Sequence, residues 1–295
     1  MNAHETTSRP SPAELRVIAV DVAREAAELI ATMRESLGIG GGEGHGAAVS
    51  TKSSAVDPVT EVDTAAEQLI VKRLREVRPE DGVRGEEGAR TDSATGVQWI
   101  IDPIDGTVNF FYGIPAFAVS LGAAVDGEVV AGAVHNVVTG EVFSAAIGEG
   151  ATCTVGGCAH ALRASNAGEV SHVLLATGFS YSAQWRSRQA AILGAVLPAV
   201  RDIRRAGSAA LDLCAVAAGR VDAYYEHGTH PWDWAAGSLI AREAGAIVEH
   251  PEISAHGSTG DVVYAAAPGV AETLKETLRA AGALEPLAHT GDSGA

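Results

Sequence analysis

Trp99-Ile100-Ile101-Asp102-Pro103-Ile104-Asp105-Gly106-Thr107-Val108-Asn109-Phe110 decides how the rest of this chain is read. Three apolar residues make a short buried strand. Two carboxylates three residues apart follow it, with a proline between them. Pro103 fixes φ and lacks an N–H, so the chain leaves the strand stiffly and can turn Asp102 and Asp105 to one mouth. Carboxylates held this close repel each other unless a divalent cation sits between them. Gly106-Thr107 then opens a helix whose free N–H groups and hydroxyl suit a phosphate. A plainer reading, with Asp102 capping a turn and Asp105 capping the helix, needs no ligand.

On the N-terminal side, Ser11-Pro12-Ala13-Glu14 is a helix start, with Ser as N-cap and Glu three residues on. Leu15, Ile18, Val22, Leu29, Ile30 and Met33 recur at helical spacing to about Leu37. Gly38 to Gly46 is glycine-rich but follows a helix, so it predicts a mobile loop rather than a dinucleotide turn, which needs a preceding strand. A second helix carries Val62, Ala66, Leu69, Ile70, Leu74 and Val77 and stops at Pro79. On the C-terminal side, strands over 117–125, 128–138 and 141–146, separated by Asp126-Gly127 and Thr139-Gly140, predict an antiparallel sheet packed on these helices.

Beyond Ser165 strands and helices alternate, as in an α/β lobe. The expected organisation is an N-terminal lobe over 11–165 with most of the acidic ligands, a C-terminal lobe over 166–286 completing the pocket, and a disordered tail at 287–295. The net charge is −16, with 21 Lys and Arg against 37 Asp and Glu. No nucleic-acid partner is expected of such a chain. An acidic enzyme that takes anionic phosphates needs a cation in its pocket, and bound metal supplies one. Cys153, Cys158 and Cys214, an odd number without zinc-like spacing, predict free thiols in a reducing cytoplasm. No apolar run reaches the roughly 20 residues of a membrane span.

Further acids surround the central motif. Gly85-Glu86-Glu87 reads as a loop whose carboxylate could reach the strand end, or as a solvated acidic turn. Asp63, in Asp57-Pro58-Val59-Thr60-Glu61-Val62-Asp63, falls near a helix start and could be only a cap. Asp233, in His230-Pro231-Trp232-Asp233, could be a cap as well. His227 and His230 read as solvated loop histidines.

In this order the segments Asp57 to Asp63, Gly85 to Glu87, Trp99 to Phe110 and Trp232-Asp233-x-Ala235-x-Gly237 resemble the inositol monophosphatase family. The likeness continues through Gly207-Ser208-Ala209-Ala210-Leu211 and Asp222 to Glu226, and covers nearly the whole chain. It implies an α-β-α-β-α layered α/β (α+β) fold, Mg²⁺ catalysis with two or three ions, lithium sensitivity, and a homodimer. Carried over, Glu86, Asp102, Asp105, Asp233 and the carbonyl oxygen of Ile104 would bind metal. Asp63 with Thr107 would activate the attacking water, and Gly106 and Thr107 would hold the phosphate. Gly207, Ser208, Ala209, Glu226 and Asp233 would line the substrate pocket, and Lys52 would sit on the mobile loop. Paired metals about 4 Å apart suit ester hydrolysis by water, because they acidify the nucleophile and bridge phosphate oxygens. The implied substrate is myo-inositol monophosphate. Fructose 1,6-bisphosphate, histidinol phosphate and a 3′-phosphonucleotide are the alternatives, and a fold-retaining interaction protein is another class. Ser208 and Val108 replace threonines of many relatives, and the segment from His250 to Gly260 lacks a Gly-Gly-Pro turn.

Overall fold

The computed structural model describes residues 10–39 and 58–287, so Lys52, Asp57 and most of the glycine-rich loop lie outside the described residues. Helix α1 (Pro12–Ser36) starts in the capping box expected of Ser11 and Glu14, and buries Leu15, Ala19, Val22, Ala26 and Ile30. Helix α2 spans Pro58–Val77. Asp63 therefore lies in its second turn, past the reach of an N-cap, and the capping reading of Asp63 does not hold.

The first sheet holds β1 (Gly82–Gly85), β2 (Arg90–Thr91), β3 (Val97–Asp105), β4 (Ala118–Val125), β5 (Glu128–Asn136), β6 (Val142–Ala146), β7 (Ala151–Val155) and β8 (Cys158–Ala161). Their order is β2-β1-β3-β4-β5-β6-β7-β8. Asp126 and Gly127, both at positive φ, make the tight β4–β5 hairpin. The sheet is not purely antiparallel, because β1 runs parallel to β3. Residues 86–96 cross back through β2 before β3 begins, so the two strands point the same way. The Glu86 N–H extends this pairing to the Ile101 carbonyl at 3.1 Å. Gly85-Glu86 is thus a strand end, not a free loop, and Glu86 arrives beside Asp102.

A second correction concerns Pro103. Strand β3 does not stop before the carboxylates. It runs through both, with Asp102 opposite Ser120, Asp105 opposite Ala118, and an irregularity between them. A proline cannot donate to the ladder, and a bulge is where a strand tolerates one.

Helix α3 (Thr107–Tyr112) follows directly. The second sheet holds β9 (Leu174–Thr177), β10 (Asp202–Arg204), β11 (Ala223–His227), β12 (Ile247–Glu249) and β13 (Val262–Ala266), in the order β10-β9-β11-β13-β12. The remaining helices are α4 (Ala183–Val196), α5 (Ala209–Ala217), α6 (Pro231–Glu243) and α7 (Ala271–Ala280). Leu287, assigned above to the tail, is buried, and its N–H donates to the Gly260 carbonyl at 3.0 Å.

The layers follow from which faces are apolar. Helices α1 and α2 cover one side of the first sheet with Trp99, Ile101, Val119 and Leu121 beneath them. Helices α5 and α6 lie between the sheets, sharing a core with Ile100, Val134, Tyr224 and Val263. Helices α4 and α7 close the outer face of the second sheet over Leu175, Tyr225 and Tyr264. The order is α-β-α-β-α. Helix α6 comes unusually close to the first sheet, since a Cβ on Gly132 would lie 3.0 Å from Ala236 Cα.

This close approach is testable. Gly132→Val should lower the unfolding free energy by about 1–3 kcal/mol through overpacking, read as a shift of the urea midpoint. An unchanged midpoint would mean that the middle helical layer does not bear on β5 at this distance.

Candidate active site

Four elements converge at one end of the first sheet. Strand β3 supplies Asp102 and Asp105, Glu86 directly follows β1, α3 begins after Gly106, and α6 begins at Pro231 with Asp233 in its first turn. One carboxylate oxygen each from Asp102, Asp105 and Asp233 lie within 4.8 Å of one another. With Glu86 they line a cavity of ≈ 460 Å³, together with Ile104, Gly106, Thr107, Gly207, Ala209 and Glu226. Asp63 and Ser208 are buried and do not line it.

Each acid is held by identifiable donors. Asp105 Oδ2 accepts from Ser208 Oγ at 2.5 Å and from the Ala210 N–H at 2.7 Å, so the start of α5 aims it. A serine hydroxyl does this as well as a threonine would. Asp233 Oδ2 accepts the His230 N–H at 2.7 Å. Asp233 therefore both caps α6 and belongs to the carboxylate cluster. Thr107 Oγ1 donates to the Ile104 carbonyl at 3.1 Å. Gly106 has φ +96°, and a Cβ there would lie 2.8 Å from the Ala116 carbonyl oxygen, so only glycine fits the turn. Asn109 Nδ2 donates to the carbonyls of Ala116 and Ala206, at 2.6 and 2.8 Å, tying α3 to the Gly207 loop.

Crowded acids hold their protons. Burial, then the charges of Glu86, Asp105 and Asp233, push Asp102 well above the usual carboxylate range. Burial and then Asp105 do the same to Asp233. Burial raises Asp105 to about 6, against the pull of Ser208 and the Ala210 N–H. Glu86, although open to the cavity, is raised to about 7 by the protein around it. Glu226 is also raised to about 7 by burial, while the Tyr224 hydroxyl donates to its Oε2 at 3.0 Å.

Comparison with known proteins agrees with this geometry. Residues 11–284 match the Inositol monophosphatase family. The chain belongs to the inositol monophosphatase family. It is 53% identical over 283 residues to the inositol-1-monophosphatase SuhB of Mycobacterium tuberculosis, covering 94% of this chain and 97% of that protein. It is 40% identical over 233 residues to the Nus factor SuhB of Escherichia coli, covering 78% and 83%. The solved structure of Mycobacterium tuberculosis SuhB superposes with a TM-score of 0.80 at 49% identity, covering 93% of this chain and 99% of that one.

For a member of this phosphatase family the donor set fits a hard divalent cation. All ligand atoms are oxygens. Asp102 Oδ1 is buried and receives no hydrogen bond among the described residues. No Lys or Arg among the described residues forms an ion pair with Glu86, Asp102, Asp105 or Asp233.

Several site residues are not apparent from the motifs. Glu67, one turn beyond Asp63, accepts the N–H groups of Glu87 and Ala89 at 2.9 and 2.8 Å and so fixes the turn that carries Glu86. A Cβ on Gly85 would lie 2.1 Å from Glu67 Oε2, which accounts for that glycine. Arg84 donates to the carbonyls of Ile253 and Ala255, at 2.5 and 3.3 Å, and its guanidinium lies 5.7 Å over the Trp232 ring. It straps down the segment from His250 to Gly260, whose His256, Gly257 and Ser258 line the cavity. His227 and His230 are not solvated loop residues. His227 ends β11, buried and lowered to about 4 by that burial. His230 precedes α6 and stacks on Trp232 at 4.6 Å.

The raised carboxylates set the pH dependence of the metal-free protein. Their folded pKa values lie above their unfolded ones, so the folded state binds more protons and stability falls as pH rises. His135 and His227, both lowered to about 4, oppose this only below about pH 6.5, where unfolded histidine is protonated. From pH 6.5 to 8 the urea midpoint measured in chelator should therefore fall, and Mg²⁺ should restore it. A midpoint flat across that window, with no response to Mg²⁺, would show that the carboxylates are not strained by one another.

Proposed function

We propose that this protein hydrolyses a polyol phosphomonoester with Mg²⁺, and that myo-inositol monophosphate is its first substrate candidate. One observation carries the reading. Three carboxylates converge within 4.8 Å in the same cavity as the Gly106-Thr107 turn and the half-buried Glu226. A charged ester and its hydroxylated alcohol each find a matching wall there.

The carboxylates of Glu86, Asp102, Asp105 and Asp233 and the Ile104 carbonyl would hold the ions. Bound divalent cations supply a nucleophile at neutral pH and offset charge on the phosphate and the departing oxygen. The chain's own residues do the positioning. Gly106 leaves room for the phosphate to approach the start of α3, and the Thr107 hydroxyl stands within reach of it. Asp63, by the family motif, partners Thr107 in orienting the attacking water. Glu226, oriented by Tyr224, accepts hydrogen bonds from the polyol hydroxyls, which an acid-only acceptor does well. Gly207 and Ala209 bring at most a methyl group to this wall, so a ring can lie flat against it. No cysteine lines the cavity, and Cys153 and Cys214 are buried with thiols pushed up, chiefly by burial.

Asp102→Asn should lower kcat at saturating Mg²⁺ by about 100-fold or more, as a neutral amide neither ligates nor neutralises a hard cation well. It should also abolish most of the Mg²⁺-induced rise in thermal midpoint, while the metal-free variant stays folded. Wild-type turnover in this variant would remove Asp102 from the metal site. Phosphate release from a panel of esters ranks the substrates, and no release from inositol monophosphate would move the assignment to another ester.

A further inference from the structure

Arg205 stands out among the residues lining the cavity. It is the only Lys or Arg among the described lining residues. Its neighbour Arg204 is spent on Asp202, at 2.6 Å. Arg205 makes no ion pair and no side-chain hydrogen bond among the described residues, and it is exposed. It is nevertheless placed with care. A Cβ on Gly207 would lie 2.6 Å from Arg205 Nη1, so the absence of a side chain at Gly207 leaves the guanidinium its position. The carbonyl of the same Gly207 would lie 3.2 Å from a Cβ on Gly106, so the guanidinium flanks the turn assigned to the phosphate. Its charge also favours ionisation of Glu226, which lines the same cavity, and of the buried Asp212.

A polyol monoester makes no demand on such a group. Its phosphate is met by the carboxylate-held ions and its hydroxyls by Glu226. A guanidinium that is unpaired, open to the cavity and forked for bidentate contact matches a second phosphate group. We propose that Arg205 is a specificity-determining residue that binds a second phosphate of the substrate, so that the enzyme favours sugar bisphosphates over the matching monophosphates. This rests on the phosphatase reading above and names a substrate class within it.

The test compares fructose 1,6-bisphosphate with fructose 1-phosphate, which share the cleaved ester and differ only in the distal phosphate. Wild-type enzyme should show the higher kcat/KM on the bisphosphate. Arg205→Gln should reduce the bisphosphate-to-monophosphate ratio of kcat/KM by about tenfold or more, the loss expected for one charge-assisted pair, and chiefly through KM. Arg205→Lys, which keeps the charge but not the fork, should retain part of the ratio. Thermal midpoints of both variants verify folding, which an exposed side chain should not disturb. A ratio unchanged in Arg205→Gln, with both esters hydrolysed or both slowed equally, overturns the proposal and leaves the phosphatase reading standing. Absence of release from either fructose ester, with inositol monophosphate still hydrolysed, overturns the proposal and leaves the phosphatase reading standing, whereas no release from any of the three overturns both.

Discussion

Four carboxylates crowded together and largely shut off from bulk water are the constraint on which this structure turns. Glu86, Asp102, Asp105 and Asp233 come from three separate chain segments, and nothing cationic in the described protein pairs with them. Left alone, each holds its proton above the usual carboxylate range. Bringing such groups together opposes folding, so their placement must be enforced by the elements behind them. The parallel β1–β3 pair, the bulge at Pro103 and the first turns of α5 and α6 do this. The starts of α5 and α6 use backbone N–H groups and a hydroxyl to fix one oxygen each of Asp105 and Asp233, while strand pairing sets the backbone of Glu86 and Asp102.

The remainder of the fold supports that enforcement. The two sheets do not touch the same face of the site. They meet through α5 and α6, and Glu226 belongs to the second sheet, while Asp102 and Asp105 belong to the first. Asn109 links the two sides by donating to Ala116 and Ala206 at once. Ser120 Oγ adds a second tie, donating to the Trp232 carbonyl at 3.1 Å. Close approach of α6 to β4 and β5 is possible only because Gly122 and Gly132 present no side chain. Glycines in strand interiors ordinarily weaken a sheet, and here they set the spacing that aligns Asp233 with Asp102 and Asp105.

Local rules made much of this readable beforehand. The capping box at Ser11, the helical period to Leu37, the Asp126-Gly127 hairpin and the helix after Thr107 all depend on neighbours in sequence, and all formed as expected. The strands at 82–85, 90–91, 151–155 and 158–161 went unread, because they are short and several lie toward a sheet edge with little apolar alternation. Pro103 misled for a related reason. A proline argues against a central strand unless a bulge absorbs its missing donor, and a bulge depends on the partner strand.

What the sequence by itself determined is the chemistry. The ordered acids, the stretch Asp102-Pro103-Ile104-Asp105-Gly106-Thr107 and Glu226 carry the resemblance to the family and supply most of the cavity's acidic groups, because motif order and residue type are written in the chain itself. Only the tertiary structure decided the arrangement. It made β1 parallel to β3, which sets Glu86 beside Asp102. It put Glu67 behind the Glu86 turn, strapped the His250 to Gly260 segment with Arg84, and left Arg205 unpaired at the cavity. These depend on contacts between residues tens or more than a hundred positions apart, whose partners no local pattern of charge or hydrophobicity encodes.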